Sequence, residues 1–447
     1  MKVAVIGCGL RTPLLIHGLA HSGIGVSQLV LHDLRPDRTA LMAALGQEIA
    51  AGKHLQVSEC SSLAEAVRDS SFVISSIRVG DMDARARDER ISFECGFAGQ
   101  ETTGPAGFAM ALRTIPVAIE HARLVEKLAP QAWIINFTNP AGLVTQAIAT
   151  HSAARVVGIC DTPAELFFRI ALALGEPVSD VACDYFGLNH LGWVRGVHVR
   201  GDDVMNRILD DDALLRSLYP SELFPPALIR SLRLIPTEYL FFYYRASAAI
   251  RNQTAAAATR GEELLKLNRR VISELETNVQ RGAGAEALRV YRAYLNRRNA
   301  SYMHLEAEGT SAFAQPDFDW DPFEGATGYH RIAIEAITAL TSQEPRRVVL
   351  NTANRGTIHE LEPEDVVEVA CMVDRSGVRP QQGPGLPYQV RGLTTAVKAY
   401  ERLTIEAAVT KRRSTAVLAL FTNPIVSDWD GAEKFVERLW TAGDFRY

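Results

Sequence analysis

The first 160 residues alternate strand-like and helix-like segments, and this alternation restricts the fold more than any other feature of the chain. The segment 3–6, VAVI, is an unbroken apolar run of the kind that forms a strand buried on both faces. A Gly-Cys-Gly turn and a helical pattern over 13–20 follow it. Further strand-like segments are VSQLVLHDL (26–34), LQVSE (55–59), SFVISSI (71–77), AWIINF (132–137) and ARVVGIC (154–160). The alternation predicts an α/β fold with a doubly wound parallel sheet of the Rossmann type.

The second half of the chain does not continue the strand–helix alternation. It contains long helical patterns and two strand-like segments, at 261–279, 285–296, 347–352, 366–373 and 392–411. These patterns predict an α+β domain. Because no linker rich in Pro or Gly separates the halves, we expect an N-terminal domain over 1–165 that interlocks with a C-terminal domain over 166–447.

Composition excludes several classes of function. The net charge is −5, which gives no reason to expect nucleic acid as a partner. No apolar run is long enough to span a membrane, so no membrane partner is expected either. The six cysteines are scattered over 447 residues and form no disulfide framework, so we expect a reduced, cytoplasmic protein.

The turn after the first strand has the features of a dinucleotide site. Gly7 and Gly9 let backbone N–H groups approach a pyrophosphate at the start of the next helix. Thr12 replaces the third glycine of the usual pattern, so the turn alone is a weak signal. Asp33 follows the second strand, where a carboxylate binds ribose hydroxyls and repels a 2′-phosphate. We expect NAD rather than NADP, against the alternative of a plain glycine turn with an exposed aspartate.

A thiol and an imidazole are candidates for a metal site. Cys160 ends a strand in VVGICDTP, and His190 follows thirty residues later in GLNHLGW. A thiolate and an imidazole can ligate a divalent metal and leave positions open for substrate oxygens. A cysteine at a strand end more often packs, and a lone histidine more often makes a local hydrogen bond. The spacing alone therefore favours a structural role.

Longer motifs add a family resemblance. The chain resembles family 4 of the glycoside hydrolases, the NAD- and metal-dependent glycosidases, and within it the 6-phospho-β-glucosidase branch. The matching stretches are 78–107, INFTNPAGLVTQA (135–147), GICDTP (158–163), YFGLNHLGW (185–193), IPTEYLFFYY (235–244) and AVKAYERLTIEAAV (396–409). They cover nearly the whole chain.

The resemblance implies a particular chemistry. NAD⁺ oxidises the sugar hydroxyl on carbon 3, a base removes the proton on carbon 2, the glycosidic oxygen is eliminated, water adds at carbon 1, and NADH reduces the ketone. A divalent metal, usually Mn²⁺, binds the oxygens on carbons 2 and 3. By this resemblance the metal ligands are Cys160 and His190. It also implies a homodimer or homotetramer, with the C-terminal domain supplying the substrate, metal and oligomer surfaces.

Two catalytic residues follow from the same resemblance. By the resemblance, Tyr239 matches the tyrosine that acts as the base at carbon 2. A tyrosine has a usual pKa near 10, and a nearby divalent cation would lower it. Asp161 matches the general acid of α-specific members, whereas β-specific members tend to have Asn there. Asp161 either protonates the leaving oxygen or orients a metal-bound water or Cys160. Tyr239 and the segment 99–107 favour the β branch, and Asp161 favours the α branch.

The remaining implied residues bind substrate. Asn139 is expected between the nicotinamide and the sugar, and Asn189 and the arginines Arg85 and Arg260 are expected to contact the sugar or its 6-phosphate. For Arg85 the alternative is a solvated helix face, because RARDER is simply charged. The glycine loop is one residue shorter than in relatives, and Arg355 stands where relatives tend to have Asn, so a phosphorylated substrate is not assured.

Three other functions stay open at this point. An α-glycosidase or α-galactosidase of the same family would use the same cofactors. An NAD-dependent hydroxy-acid dehydrogenase would share the N-terminal architecture but would need no metal. A non-catalytic NAD-binding regulator would keep the fold and lose the catalytic residues, which the presence of Cys160, His190 and Tyr239 disfavours.

Overall fold

A computed structural model describes residues 1–219, 223–306, 321–325, 327–426 and 428–442. The strands in this part of the chain are β1 (Lys2–Ile6), β2 (Gln28–His32), β3 (Gln56–Glu59), β4 (Phe72–Ser75), β5 (Trp133–Asn136), β6 (Arg155–Gly158), β7 (Val181–Leu188), β8 (Leu191–Val199), β9 (Asp202–Asp203), β10 (Ile235–Pro236), β11 (Arg346–Ala353), β12 (Val366–Asp374) and β13 (Gly377–Pro380).

Fourteen α-helices are described in the first 300 residues. They are α1 (Thr12–His21), α2 (Pro36–Ile49), α3 (Leu63–Val67), α4 (Asp81–Glu94), α5 (Gly104–Leu128), α6 (Ala141–His151), α7 (Thr162–Leu174), α8 (Met205–Asp210), α9 (Asp212–Ser217), α10 (Pro226–Leu232), α11 (Phe241–Tyr244), α12 (Ala246–Ala255), α13 (Arg260–Gln280) and α14 (Gly284–Ala300).

The later helices are α15 (Tyr329–Thr341), α16 (Tyr388–Thr410), α17 (Arg413–Thr422) and α18 (Trp429–Thr441). Two short 3₁₀ helices cover Val178–Asp180 and Glu238–Leu240. The long helical patterns of the second half therefore form helices within a few residues of the expected positions. None of the described helices combines the length and the apolar character that crossing a membrane requires.

One nine-stranded sheet forms the centre of the protein. Its order is β13-β12-β11-β6-β5-β4-β1-β2-β3, and the strands from β6 to β3 are parallel. The segment β3-β2-β1-β4-β5-β6 has the strand order of dinucleotide-binding folds, with its reversal point between β1 and β4. The α/β prediction of a doubly wound parallel sheet is confirmed. The residues of β1 after Lys2 are 0–3% exposed, as a strand covered on both faces requires.

The sheet continues beyond its parallel part. β11 runs antiparallel to β6, with Asn351 opposite Gly158, and β12 and β13 add two more antiparallel strands. The sequence patterns assign the segments 347–352 and 366–373 to an interlocked C-terminal α+β domain, and in the structure these segments extend the N-terminal sheet. The domain boundary near residue 165 stays a prediction, since the sheet includes strands from both sides of it.

A second, smaller sheet carries part of the candidate site. It has the order β10-β8-β7, and β9 pairs with β8. β7 and β8 form an antiparallel hairpin, in which Leu188 pairs with Leu191 and the two residues between them form the turn. Tyr185 on β7 donates a hydrogen bond to Glu368 on β12 at 2.7 Å. The hairpin turn is thereby held against the antiparallel end of the large sheet.

The glycine turn after β1 tests this account of the fold. Gly7 has φ +91°, and a Cβ there would press on the backbone carbonyl of Ser76 and lie 2.8 Å from Ile77 N. We predict that Gly7→Ala lowers the free energy of unfolding by about 2–4 kcal/mol, because backbone strain adds to overpacking. Chemical denaturation of the cofactor-free protein measures this.

The matched control is Gly9→Ala. A Cβ at Gly9 meets no atom within 4 Å among the described residues, and Gly9 is absent from the positive-φ region. Its unfolding free energy should change by less than about 1 kcal/mol. Equal losses in the two variants would contradict the close approach of the β1 turn to β4.

Candidate active site

The predicted dinucleotide residues form one turn at the carboxyl end of β1. Thr12, the first residue of α1, donates its backbone N–H to Gly9 O at 2.9 Å. The space in front of Gly9 is open among the described residues, and the first-turn N–H groups of α1 point to this end of the helix. The residues present therefore fit a bound pyrophosphate, which binds at helix N-termini of this kind.

Asp33 supports this turn. Its Oδ2 accepts the Cys8 N–H at 2.8 Å, and its Oδ1 accepts the Arg35 N–H at 2.9 Å. A carboxylate oxygen has more than one lone pair, so both oxygens can still accept from ribose hydroxyls. Leu34, beside it, is 91% exposed and offers an apolar surface for an adenine ring. The role of Asp33 in NAD binding stays a prediction.

Cys160 lies where the sequence predicted, two residues beyond β6 and immediately before Asp161 and α7. Its side chain is buried and hydrogen-bonds with Thr162. Burial raises its pKa well above the usual value, and the carboxylates of Glu368 and Asp161 add to the rise. The thiol therefore stays protonated unless a cation binds it, since metal coordination releases a thiol proton.

His190 lies in the turn between β7 and β8. Its backbone is left-handed, with φ 61°, and its side chain is buried. Its Nδ1 is 2.8 Å from Thr102 Oγ1, and its ring stacks on Tyr239 with a centroid separation of 3.9 Å. Burial lowers its pKa to about 4, although the Glu101 carboxylate opposes this, so the imidazole is neutral.

The Nε2 atom of His190 is buried and has no hydrogen-bond partner among the described residues. A neutral imidazole nitrogen with a free lone pair is the form that ligates metals. The described residues contain no group of three or more His, Cys, Asp or Glu arranged around one ion. A thiol and an imidazole are donors that suit a divalent metal, and the binding of one ion by Cys160 and His190 together stays a prediction.

Tyr239 lies in the short helix Glu238–Leu240 and is buried. Burial raises its pKa well above the usual value, and nearby Tyr329 and Glu238 raise it further. Its stacking on His190 places the ring beside the candidate metal ligand. A cation there would lower the pKa of the phenol, as a tyrosine base requires.

Asp161 precedes the first residue of α7 and is half-buried. Burial raises its pKa, the Arg11 guanidinium opposes the rise, and the Glu165 carboxylate adds to it. Arg11 in turn lies over the Tyr329 ring, with Cζ 4.1 Å from the centroid. Asp161 therefore lies among charged side chains of both signs, Arg11 and Glu165.

Arg85 is buried in α4 and forms ion pairs with Glu89 and Glu101 at 2.8 and 2.7 Å. The solvated helix face considered for RARDER is wrong at this position. Burial opposes the ionisation of Glu101, but Arg85 and Arg78 hold its pKa well below the usual range. Glu101 therefore stays charged between two arginines.

Arg260 is the first residue of α13 and lies close enough to Arg85 for the two charges to repel each other. Burial lowers the pKa of Arg260, and Arg85 lowers it further. The pKa of Arg298 on α14 is also lowered, by burial first and then by the charges of Arg11 and Arg85. Arg260 donates to Arg298 O at 3.2 Å and pairs with Glu263 at 3.4 Å. We call Arg85, Arg260 and Arg298 the arginine cluster.

The two predicted asparagines occupy different settings. Asn139 is half-buried three residues beyond the end of β5, at the same edge of the sheet as Cys160. Asn189 accepts the Gly142 N–H at 3.3 Å and donates to Glu368 at 3.1 Å. Its amide thus ties the hairpin turn to the large sheet, and its contact with substrate stays a prediction. Arg355 follows β11 and donates to Val378 O at 3.3 Å.

Sequence reasoning missed two carboxyl groups of the site. Glu368 on β12 accepts from Tyr185, Asn189 and Asn351, and burial raises its pKa to about 7. A single charged residue within the apolar strand VVEVACMV was an available signal. Glu238 accepts from Thr162 and Tyr302 at 3.2 and 3.1 Å.

Burial also raises the pKa of Glu238 to about 7, and the Asp161 charge adds to the rise. The available signal for Glu238 was its place immediately before Tyr239. Together with Glu368 it makes the surroundings of Cys160 acidic. Such surroundings favour a bound cation.

Comparison with known proteins agrees with this geometry. Residues 2–176 match the model of family 4 glycosyl hydrolases, and residues 185–426 match the model of the family 4 glycosyl hydrolase C-terminal domain. The chain belongs to this family of glycosidases. The predicted family resemblance is confirmed, and the dehydrogenase alternative is not supported.

Individual relatives include both anomeric types. A 6-phospho-β-glucosidase of Escherichia coli is 30% identical, covering 98% of this chain and 94% of its own. A phospho-α-glucosidase of Clostridium acetobutylicum is 28% identical, covering 84% and 81%. The crystal structure of the Thermotoga maritima 6-phospho-β-glucosidase with manganese, NAD⁺ and glucose-6-phosphate has a TM-score of 0.81 at 26% identity, covering 99% and 98%.

Proposed function

We propose that the chain hydrolyses 6-phospho-β-glucosides with NAD and a divalent metal, most simply Mn²⁺. The reaction runs by transient oxidation at carbon 3, proton abstraction at carbon 2, elimination and water addition. The observation that carries the proposal is the buried Nε2 of His190, which has no hydrogen-bond partner among the described residues, and the buried Cys160 thiol supports it as the second ligand of the family motif. Glu368 connects the two, since it accepts from Asn189 and its charge acts on Cys160.

The cofactors are supported by the relative whose structure contains them. The T. maritima enzyme binds manganese, NAD⁺ and glucose-6-phosphate. When bound here, NAD⁺ would supply reversible oxidation of the sugar hydroxyl, and the metal would supply Lewis acidity toward the sugar oxygens. The turn of Gly7, Gly9 and Thr12 holds the pyrophosphate, and Asp33 the ribose.

The remaining roles belong to side chains of the site. Tyr239 accepts the proton from carbon 2, because its phenol lies against His190 and so beside the proposed metal. Asp161 gives a proton to the departing glycosidic oxygen. Asn139, three residues beyond β5, would lie between the nicotinamide and the sugar. These assignments rest on position within the fold and on the family motifs.

The arginine cluster supports a phosphorylated substrate. Arg260 and Arg298 are buried enough that like charges lower their pKa, which leaves cationic charge only partly compensated. A phosphate dianion would relieve this repulsion and accept paired N–H groups from a guanidinium. Arg85 is already engaged by Glu89 and Glu101, so it orients the cluster as well as adding charge.

The β configuration rests on the longer motifs. The segment 99–107 and Tyr239 are typical of β-specific members, and the E. coli and T. maritima relatives are named for β-glucosides. Asp161 is the opposing feature, and α-glucosidase relatives of similar identity exist. A single Asn-to-Asp exchange is a smaller change than a matching segment of nine residues. We therefore assign the β branch.

Two expectations about setting complete the proposal. The chain works in the cytoplasm, and it forms a homodimer or homotetramer. All six cysteines are free, which suits a reducing compartment. Neither expectation enters the chemistry above, and the oligomeric state stays a prediction.

A substrate panel tests the proposed activity. Four p-nitrophenyl glucosides, α and β with and without 6-phosphate, are assayed with NAD⁺, Mn²⁺ and a reductant. We predict the highest kcat/KM on the 6-phospho-β-glucoside. Arg260→Met should lower that value about 10–100-fold, because a charge-assisted contact is lost. Activity on unphosphorylated substrates should stay as it was.

The control variant is Arg270→Met, which removes an exposed arginine on α13 that pairs, among the described residues, with Glu274 of the same helix. This variant should have the wild-type kcat/KM on each of the four substrates. Cleavage of α-glucosides alone would overturn the branch, and equal cleavage with and without phosphate would overturn the assigned substrate.

The leaving group tests Asp161. We predict that Asp161→Asn lowers kcat/KM roughly 10²–10⁴-fold for alkyl 6-phosphoglucosides but less than about tenfold for p-nitrophenyl ones. The reason is that a good leaving group departs with little protonation. Equal loss on both substrates would show that Asp161 serves the metal or the fold instead.

A further inference from the structure

The loop before α5 contains a chain of hydrogen bonds that ends on His190. Gln100 Oε1 is 2.6 Å from Thr102 N and 2.8 Å from Thr103 N. A backbone N–H can only donate, so the side-chain atom facing both must be the amide oxygen of Gln100 and not its nitrogen. The orientation of this amide is therefore decided by the backbone.

The hydroxyl of Thr102 is oriented by that oxygen. Thr102 Oγ1 is 2.9 Å from Gln100 Oε1, and an amide oxygen only accepts, so the hydroxyl must donate to it. A hydroxyl has one proton. Toward its other neighbour, His190 Nδ1 at 2.8 Å, Thr102 can only accept. His190 Nδ1 must carry a proton to make this bond.

The position of Thr102 is itself fixed by packing. Thr102 is buried, and a Cβ on Gly107 would come within 3.0 Å of Thr102 Cα, so the loop lies directly on the first turn of α5. One face of the His190 ring is covered by the stacked Tyr239 ring. The Thr102–His190 bond thus joins two segments that are separately held in place.

We propose that Gln100 and Thr102 are positioning residues that hold His190 in the tautomer protonated on Nδ1. In a neutral imidazole, protonation of Nδ1 leaves Nε2 as a lone pair. Nε2 is the buried atom without a partner among the described residues. The opposite tautomer would place a proton on Nε2 and could not ligate a metal through it.

The consequence for metal binding rests on the proposed function. If His190 is a metal ligand, the Gln100–Thr102 pair is its outer hydrogen-bond partner, and loss of such a partner typically weakens metal affinity 10–100-fold. The tautomer itself is a property of the metal-free protein. The two statements can therefore be tested separately.

The tautomer is measured by NMR on metal-free, full-length protein labelled with ¹⁵N-histidine, using long-range correlations from the ring protons. The His190 signals are identified by their loss in His190→Gln. We expect protonated Nδ1 and unprotonated Nε2 in the wild type and in Thr102→Ser. Thr102→Val keeps the shape of the side chain and removes the hydroxyl. In this variant the Nδ1-protonated tautomer should no longer be the only one observed.

The metal arm measures Mn²⁺ affinity by titration, without turnover. Thr102→Val should bind Mn²⁺ 10–100-fold more weakly, and Thr102→Ser should stay within about threefold of the wild type. The matched control is Thr103→Val. Its hydroxyl is also buried but has no hydrogen-bond partner among the described residues, so affinity should not change.

Four results are decisive. A wild-type His190 protonated on Nε2 would overturn the proposal, and so would an unchanged tautomer in Thr102→Val. Unchanged Mn²⁺ affinity in His190→Gln would overturn the proposed metal site, while the NMR result would still decide the tautomer. Weaker Mn²⁺ binding in Thr103→Val as well would show a general disturbance of the loop and overturn the specific role of Thr102.

Discussion

The carboxyl group of Glu368 is the contact on which the site depends. It lies on β12 and accepts hydrogen bonds from Tyr185, Asn189 and Asn351 at 2.7–3.1 Å. Through them the β7–β8 hairpin is fixed to the antiparallel end of the large sheet. A buried carboxyl group without such hydrogen bonds is costly. Glu368 thereby sets where His190 lies relative to the end of β6.

The site contains both carboxyl groups and arginines. The charges of Glu368 and Asp161 act on Cys160, and Glu238 accepts a hydrogen bond from nearby Thr162. Arg85 and Arg298 act on Glu101, and Arg298 also acts on Asp161. The proposed substrate, a sugar with adjacent hydroxyls and a phosphate, would need both kinds of charge.

The parallel sheet was predictable because strand–helix alternation is a local signal with one common solution. The antiparallel strands β11 to β13 were not assigned to it, because the pairing of Asn351 with Gly158 joins segments far apart in sequence. Cys160, His190 and Tyr239 were found through family motifs, not through spacing. Arg85 was ambiguous, since its ion-pair partner Glu101 lies outside the RARDER segment.

The outer hydrogen bonds of the site had no comparable signal. Nothing in the sequence distinguishes the hydroxyl of Thr102 from that of its neighbour Thr103, although only the first contacts His190. Such roles depend on the direction of a single side chain within a loop. They become visible only when the donors and acceptors around each atom are accounted for.

The central claim is that the glycosidic bond breaks by elimination through carbon 2. The most direct test is hydrolysis of a 6-phospho-β-glucoside in deuterated water with NAD⁺ and Mn²⁺, followed by NMR and mass analysis of the glucose-6-phosphate formed. The account predicts deuterium at carbon 2 of the product and an NAD⁺ requirement without net consumption. Product that keeps only hydrogen at carbon 2 would contradict it.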